Sequence, residues 1–113
     1  MPIVRENSKM KSSILEMSRK SFGVVGVKNN KGTLIGIITD GDLRRNINKN
    51  FLEFSAKEMM THKPKLIDTN ELMLNALKIM TKNKITCLFV TEKKSKTKPV
   101  GIIHIHDCLR FVN

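Results

Sequence analysis

The chain has 113 residues, 40% of them hydrophobic, which suffices for one compact core or two very small interlocked ones but not for a large enzyme with its own substrate domain. Its net charge is +11, yet the basic residues run along the whole length, with one dense stretch at Lys93, Lys94, Lys96 and Lys98 and no Trp or Tyr to stack on bases. A solvated basic surface attractive to small anions is therefore expected, rather than a nucleic-acid interface.

No apolar run approaches the roughly 20 residues that cross a bilayer, and the start MPIVRENSKMK lacks a signal-peptide apolar stretch, so a soluble, cytoplasmic protein is expected. Cys87 and Cys108 lie in apolar surroundings without CxxC spacing. They are expected as reduced, buried thiols rather than a disulfide or a zinc site.

Pro2 to Val4 reads as a short extended segment, followed by Asn7, suited to N-capping, and by Met10, Ile14 and Met17 at the i, i+4, i+7 spacing of an amphipathic helix. Val24 to Val27, a polar turn (NNKGT) and Leu34 to Thr39 predict a β-hairpin. A second helix starts near Asp40, with Leu43 and Ile47 on its apolar side.

The same pattern then recurs. A shift of 63 positions carries Ile3, Val4 and Asn7 onto Leu66, Ile67 and Asn70, and Met10, Ile14 and Met17 onto Met73, Leu77 and Met80. It also carries Phe22, Val25 and Val27 onto Ile85, Leu88 and Val90. The register slips by two in the longer turn EKKSKTKP, after which GIITDGDLRR (Gly36 to Arg45) matches GIIHIHDCLR (Gly101 to Arg110). A slip confined to a turn is what a structural repeat tolerates.

The second copy therefore has an extended stretch at Lys65 to Ile67, strands at Leu88 to Val90 and Val100 to His104, and a last helix from about Ile105 with Cys108 and Leu109 on its apolar side. The fold class is α/β (α+β): two β-α-β-β-α units, 1–49 and 58–113, with a linker at 50–57 inside a connection around residues 47 to 60. Neither unit of about 50 residues buries enough surface alone. The two are expected to pack with pseudo-two-fold symmetry, leaving clefts at the turns from last strand to last helix.

The repeat order together with Gly36-Ile-Ile-Thr-Asp-Gly-Asp-Leu-Arg-Arg45 resembles a tandem pair of CBS (cystathionine-β-synthase) domains, and the resemblance covers essentially the whole chain. TDGDLRR, then KEMMTHKPKLI, then GIIHIHDCLR, is similar to the C-terminal CBS pair of bacterial D-arabinose-5-phosphate isomerases. In that family a preceding sugar-isomerase (SIS) domain interconverts D-ribulose 5-phosphate and D-arabinose 5-phosphate for synthesis of the lipopolysaccharide sugar Kdo. The chain opens where the family's first CBS unit begins, so it is expected to be an excised part without that domain.

CBS units that bind adenosine nucleotides use Ser/Thr-x-x-Asp after the last strand, and Thr39 with Asp42 match it. The carboxylate would accept from ribose hydroxyls, while helix amides favour phosphate. The same spacing is close to a capping box, in which the two side chains only satisfy the helix's own amides. In the second unit the positions are His104 and Asp107, so the hydroxyl is lost; His104 and His106 either stay solvated on a strand-to-helix turn, contact an anion or hold a metal. His62 lies in the connection, without such company.

Arg44 and Arg45 fall in the first turn or two of a helix, where cations gain nothing from the helix dipole, which leaves a phosphate clamp and a solvated face as readings. The resemblance further implies that Ile3, Lys65 and Leu66, next to Pro2 and Pro64, line a base pocket. No catalytic residue and no cofactor is expected: there is no Gly-rich phosphate loop, no Ser-His-Asp set, and no carboxylate pair beyond Asp40 and Asp42, which point to different sides of a turn. The seven methionines read as core filler.

Two functions follow from the resemblance. One is a sensor in which AMP, ATP or a sugar nucleotide such as CMP-Kdo biases the attached isomerase domain. The other is a non-binding element that self-associates as a CBS dimer and helps assemble the isomerase, and a stand-alone adenylate-sensing CBS protein is the fallback.

Overall fold

The structure, a computed structural model, describes residues 1–20, 23–47, 50–62, 64–68, 71, 73–92 and 95–112; at 19, 20, 95, 96 and 109–112 the description is of the backbone. Phe22, Asn70, Lys93 and Lys94, and the side chains of Lys96 and Leu109, lie outside the described residues. The chain divides into two compact units, 1–64 and 65–113.

In the first unit the order is β1 (Ile3–Arg5), α1 (Met10–Lys20), β2 (Val24–Lys28), β3 (Leu34–Thr39) and α2 (Asp40–Arg45). A 3-10 turn (Phe51–Glu53), α3 (Ala56–Met59) and β4 (Thr61–His62) follow. The sheet order is β1-β2-β3-β4, with β1 parallel to β2 and the other pairs antiparallel. The second unit runs β5 (Leu66–Asp68), α4 (Met73–Asn83), β6 (Cys87–Glu92), β7 (Ser95–His104) and α5 (Ile105–Val112), with sheet order β5-β6-β7.

The repeat survives in the ladders residue by residue. Ile3 pairs with Gly26 as Leu66 pairs with Phe89, and Val25 pairs with Ile38 as Leu88 pairs with Ile103. The hairpin register shifts just after Val27 in one unit and just after Val90 in the other. The two-residue slip in the sequence thus falls beyond the regular ladder, where a change of length moves no core side chain to the wrong face.

Each helix stripe meets its own sheet. Met10, Met17, Val25, Val27 and Ile38 are buried together, with Val4, Ile14 and Leu43 packed against them. In the second unit Ile67, Ala76, Met80, Leu88 and Cys108 are buried, with Met73, Leu77, Val90 and Ile103 around them. The methionines of both stripes fill these cores, while Met1 is exposed.

Two expectations need correction. Asn7 does not cap α1: the helix begins at Met10, and Lys9 carbonyl accepts from the amides of Ser12 and Ser13. Ile47 does not extend the apolar side of α2, which ends at Arg45 with Asn46 as its C-cap; Ile47 is 67% exposed. The connection around residues 47 to 60 also contributes to the first core. Ala56, Met59 and Met60 are buried in the first core, and the Met10, Ala56 and Lys57 amides donate to the carbonyls of Phe54, Ser8 and Glu6. Ser55 and Glu58 close a capping box on α3, and the two bonds Ser55 supplies hold the Glu58 carboxyl below its usual range.

Gly36, on β3, sits where β4 pairs alongside, opposite His62. A Cβ there would lie 2.5 Å from Met60 Sδ and 2.8 Å from the Thr61 carbonyl oxygen, whereas a Cβ on its repeat partner Gly101 meets nothing within 4 Å. Gly36→Ala is accordingly expected to cost about 1–3 kcal/mol in urea unfolding, and Gly101→Ala to stay within about 0.5 kcal/mol of the parent chain.

Cys108 is fully buried and Cys87 half-buried; neither is in a disulfide. Burial, reinforced by the Asp107 charge, pushes the Cys108 thiol above its ordinary value of 9.0. Burial also raises Cys87, against a hydrogen bond from Thr86 and with a smaller push from Asp107. Because the fold favours the neutral thiols, their contribution to stability is complete below the ordinary thiol value and is lost as pH rises through the elevated ones. At about pH 8 a disulfide reagent should modify Cys108 far more slowly than Cys87 in the folded chain, and both at similar rates in denaturant.

Candidate functional site

The turn from β3 into α2 gathers most of the polar side chains that the sequence singles out in the first unit. Thr39 is extended (φ −117°, ψ 168°) and caps α2; its Oγ1 accepts from the Asp42 amide at 3.3 Å, and its own amide donates to Asp42 Oδ2 at 2.9 Å. The Thr39 hydroxyl also donates to Oδ2, at 3.2 Å. Thr61, brought in by β4, donates its hydroxyl to Asp42 Oδ1 at 3.0 Å, and Arg45 donates to the same oxygen.

Asp42 is 4% exposed, and its carboxylate accepts four bonds, which matches the roughly four lone-pair sites of its two oxygens. The capping reading is therefore realised in full. A ribose hydroxyl reaching Asp42 would have to replace one of these donors. The most replaceable is Arg45, whose side chain is 67% exposed and whose ion pair adds little stability.

Arg44 and Arg45 fall in the second turn of α2, within the first turn or two as expected. Because α2 is only six residues long that turn is also its last, where the helix dipole favours cations, so their position alone gives no reason to suspect a further role. Arg44 is exposed.

The junction of β7 and α5 solves the capping problem differently. The His104 amide donates to Asp107 Oδ2 at 3.1 Å, the counterpart of the Thr39–Asp42 bond. His104 Nδ1, in place of the threonine hydroxyl, accepts from the His106 amide at 3.1 Å. The two imidazoles stack, with centroids 4.7 Å apart and planes 12° from parallel. His106 belongs to the first turn of α5 rather than to the strand end. A metal is a poor fit, since Nδ1 of His104 already accepts a hydrogen bond and no group of three His, Cys, Asp or Glu gathers among the described residues.

Ile3 is half-buried on β1, away from the Thr39 cluster in sequence, and lies beside Gly26 in the ladder. Lys65 and Leu66 line a depression of about 380 Å³ with Lys78, Ile79, Lys82 and Asn83 of α4. The helix lysines carry no motif and are found only through the packing of α4 on β5. His62, in β4, is exposed and pairs with Gly36 of β3, and Asp40 is exposed while Asp42 is buried. Among the described residues no helix is long and apolar enough to cross a membrane.

Comparison with known proteins fits this architecture. The family model "CBS domain" matches residues 1–49 and again 56–113. The chain is 36% identical over 112 residues to the arabinose 5-phosphate isomerase KdsD of Pseudomonas aeruginosa, covering 97% of this chain and 34% of that protein. It spans about a third of the length of the curated relatives it matches. Among solved structures it is similar to CBSX2 in complex with AMP (TM-score 0.78, 19% identity, 97% of this chain and 85% of that one). It is also similar to the CBS domain pair of protein MJ0100 in complex with 5'-methylthioadenosine and S-adenosyl-L-methionine (TM-score 0.82, 21% identity, 99% and 88%). With the family model matched at both copies of the repeat and the fold shared at this level, the chain belongs to the CBS-domain family and is a tandem pair of its units.

Proposed function

We propose that this CBS pair is the regulatory part of a cytoplasmic D-arabinose-5-phosphate isomerase serving Kdo and lipopolysaccharide synthesis, and that it senses an adenosine nucleotide or a sugar nucleotide such as CMP-Kdo. The observation that carries the reading is the Thr39–Asp42 pair, joined at the β3–α2 junction with the carboxylate shielded from water. A ligand hydroxyl would be recognised there by taking over the Asp42 bond of the exposed Arg45, while a ligand without hydroxyls would leave the saturated carboxylate as it is. The adenosine-type ligands named for the two solved CBS structures support the ligand class, and the Pseudomonas isomerase supports the parent enzyme.

A signal of this kind acts by binding one state of the parent better than another. The Arg45 donor on Asp42 suits such a sensor: a ligand hydroxyl that took over its bond would release an exposed cation at the end of α2. The second reading, a CBS pair that self-associates and binds nothing, is favoured by two observations. The Asp42 carboxylate already accepts four bonds, and His104 is engaged in capping α5.

Titration calorimetry with AMP, ATP and CMP-Kdo separates the two. The sensor reading expects micromolar binding of one of them, abolished in a Thr39→Ala/Asp42→Ala chain. That variant loses a helix cap, at a cost of about 1–2 kcal/mol, so its far-ultraviolet dichroism should still report a folded protein. No heat with any of the three, together with a concentration-dependent dimer in sedimentation, would move the assignment to the assembly role.

A further inference from the structure

We propose a second anion site, independent of the Thr39–Asp42 junction: a cradle formed by Arg5, Lys28 and Lys31 that takes a compact, multiply charged phosphate. Arg5 ends β1 and Lys28 ends β2, and the parallel register sets them side by side. Strands in a sheet lie about 4.8 Å apart, so two like charges stand as immediate neighbours, which is unfavourable unless something anionic lies between them. Their neighbours in the ladder, Val4 and Val27, turn into the core, so the pleat projects Arg5 and Lys28 to the other face.

The β2–β3 turn adds the third cation. Asn29 Oδ1 accepts from the amides of Lys31 and Thr33, both at 3.0 Å, and Gly32 supplies the positive φ of 81° that closes the turn. Lys31 is thus presented from a fixed backbone. Arg5, Lys28 and Lys31 line, with Asn29, Asn30 and Gly32, a depression of about 470 Å³ that contains no carboxylate. Glu6, next to Arg5 in sequence, is directed instead at Lys57, 3.6 Å away. Among the described residues no ion pair engages any of the three cations.

The chemistry of the lining selects the ligand. It has no aromatic and no apolar side chain, so nothing there would hold a base or an acyl chain. A guanidinium fork, two ammonium groups and side-chain amides suit adjacent or paired phosphates. The six residues of β3 separate this turn from Thr39, a distance of about 20 Å. Ligand at the junction therefore does not occupy the cradle.

The test is a titration of the isotope-labelled chain, in about 50 mM salt, with inorganic diphosphate and separately with a hexose bisphosphate, followed through the amides of Asn29 to Gly32. Saturable shifts confined to this turn and the ends of β1 and β2 are expected. Affinity should fall about fivefold or more in Arg5→Gln and in Lys28→Gln, each checked for an unchanged spectrum elsewhere. It should stay at the parent value in Lys98→Gln, an exposed lysine of the other unit, and in Thr39→Ala. The tighter of the two probes names the source as inorganic or organic phosphate. Shifts spread over the lysines of both units without saturation, or an equal loss in Lys98→Gln, would overturn the proposal.

Discussion

Each half of this chain has to cover the apolar face of a very small sheet with short helices, and that requirement shapes most of what surrounds it. A sheet of three or four strands needs its apolar face covered to be stable in water. Met10, Ile14 and Met17 of α1 close the first sheet and Met73, Leu77 and Met80 of α4 close the second, each against a central strand whose valines or leucine are buried. Methionine suits such a cover because its unbranched thioether fills gaps that a stiff side chain would leave.

The two units meet the next requirement differently. The first adds a further layer, since the chain after α2 folds back with Ala56, Met59 and Met60 on the core and β4 against β3. That return also delivers Thr61 to Asp42, so the polar cluster of the β3–α2 junction depends on packing at Gly36, where only a glycine lets Met60 and β4 approach. In the second unit the corresponding glycine is open, and the strand-to-helix turn relies on local bonds between His104, His106 and Asp107. One repeat thus carries two different junctions: a buried carboxylate with four donors, and a stacked imidazole pair.

The positive charge of the chain is distributed, but the fold does not leave it uniform. Parallel pairing brings Arg5 beside Lys28, and the seating of α4 on β5 brings Lys78 and Lys82 beside Lys65. Both clusters face depressions, one fully polar and one with an apolar floor of Leu66 and Ile79. Attraction for anions, a diffuse property of the composition, becomes local through strand register and helix seating.

The sequence by itself determined the two β-α-β-β-α units, their hairpins and the core faces of α1 and α4, because these follow from residue periods of two and about 3.6 and from a repeat that keeps them in phase. It also made the Thr39–Asp42 pairing legible, since a capping box is written in four consecutive residues; the Ser55–Glu58 box that starts α3 has the same spacing but lies in what the sequence presents as a connection. The tertiary structure alone decided that α2 stops at Arg45, so that the second turn, which holds Arg44 and Arg45, is also the last. It alone decided that Thr61, nineteen residues away, saturates Asp42, and that Arg5 and Lys28 stand side by side. Those outcomes rest on contacts between residues distant in the chain. No local period encodes them, because which remote segments meet depends on how each loop closes and on how much apolar surface its closure buries.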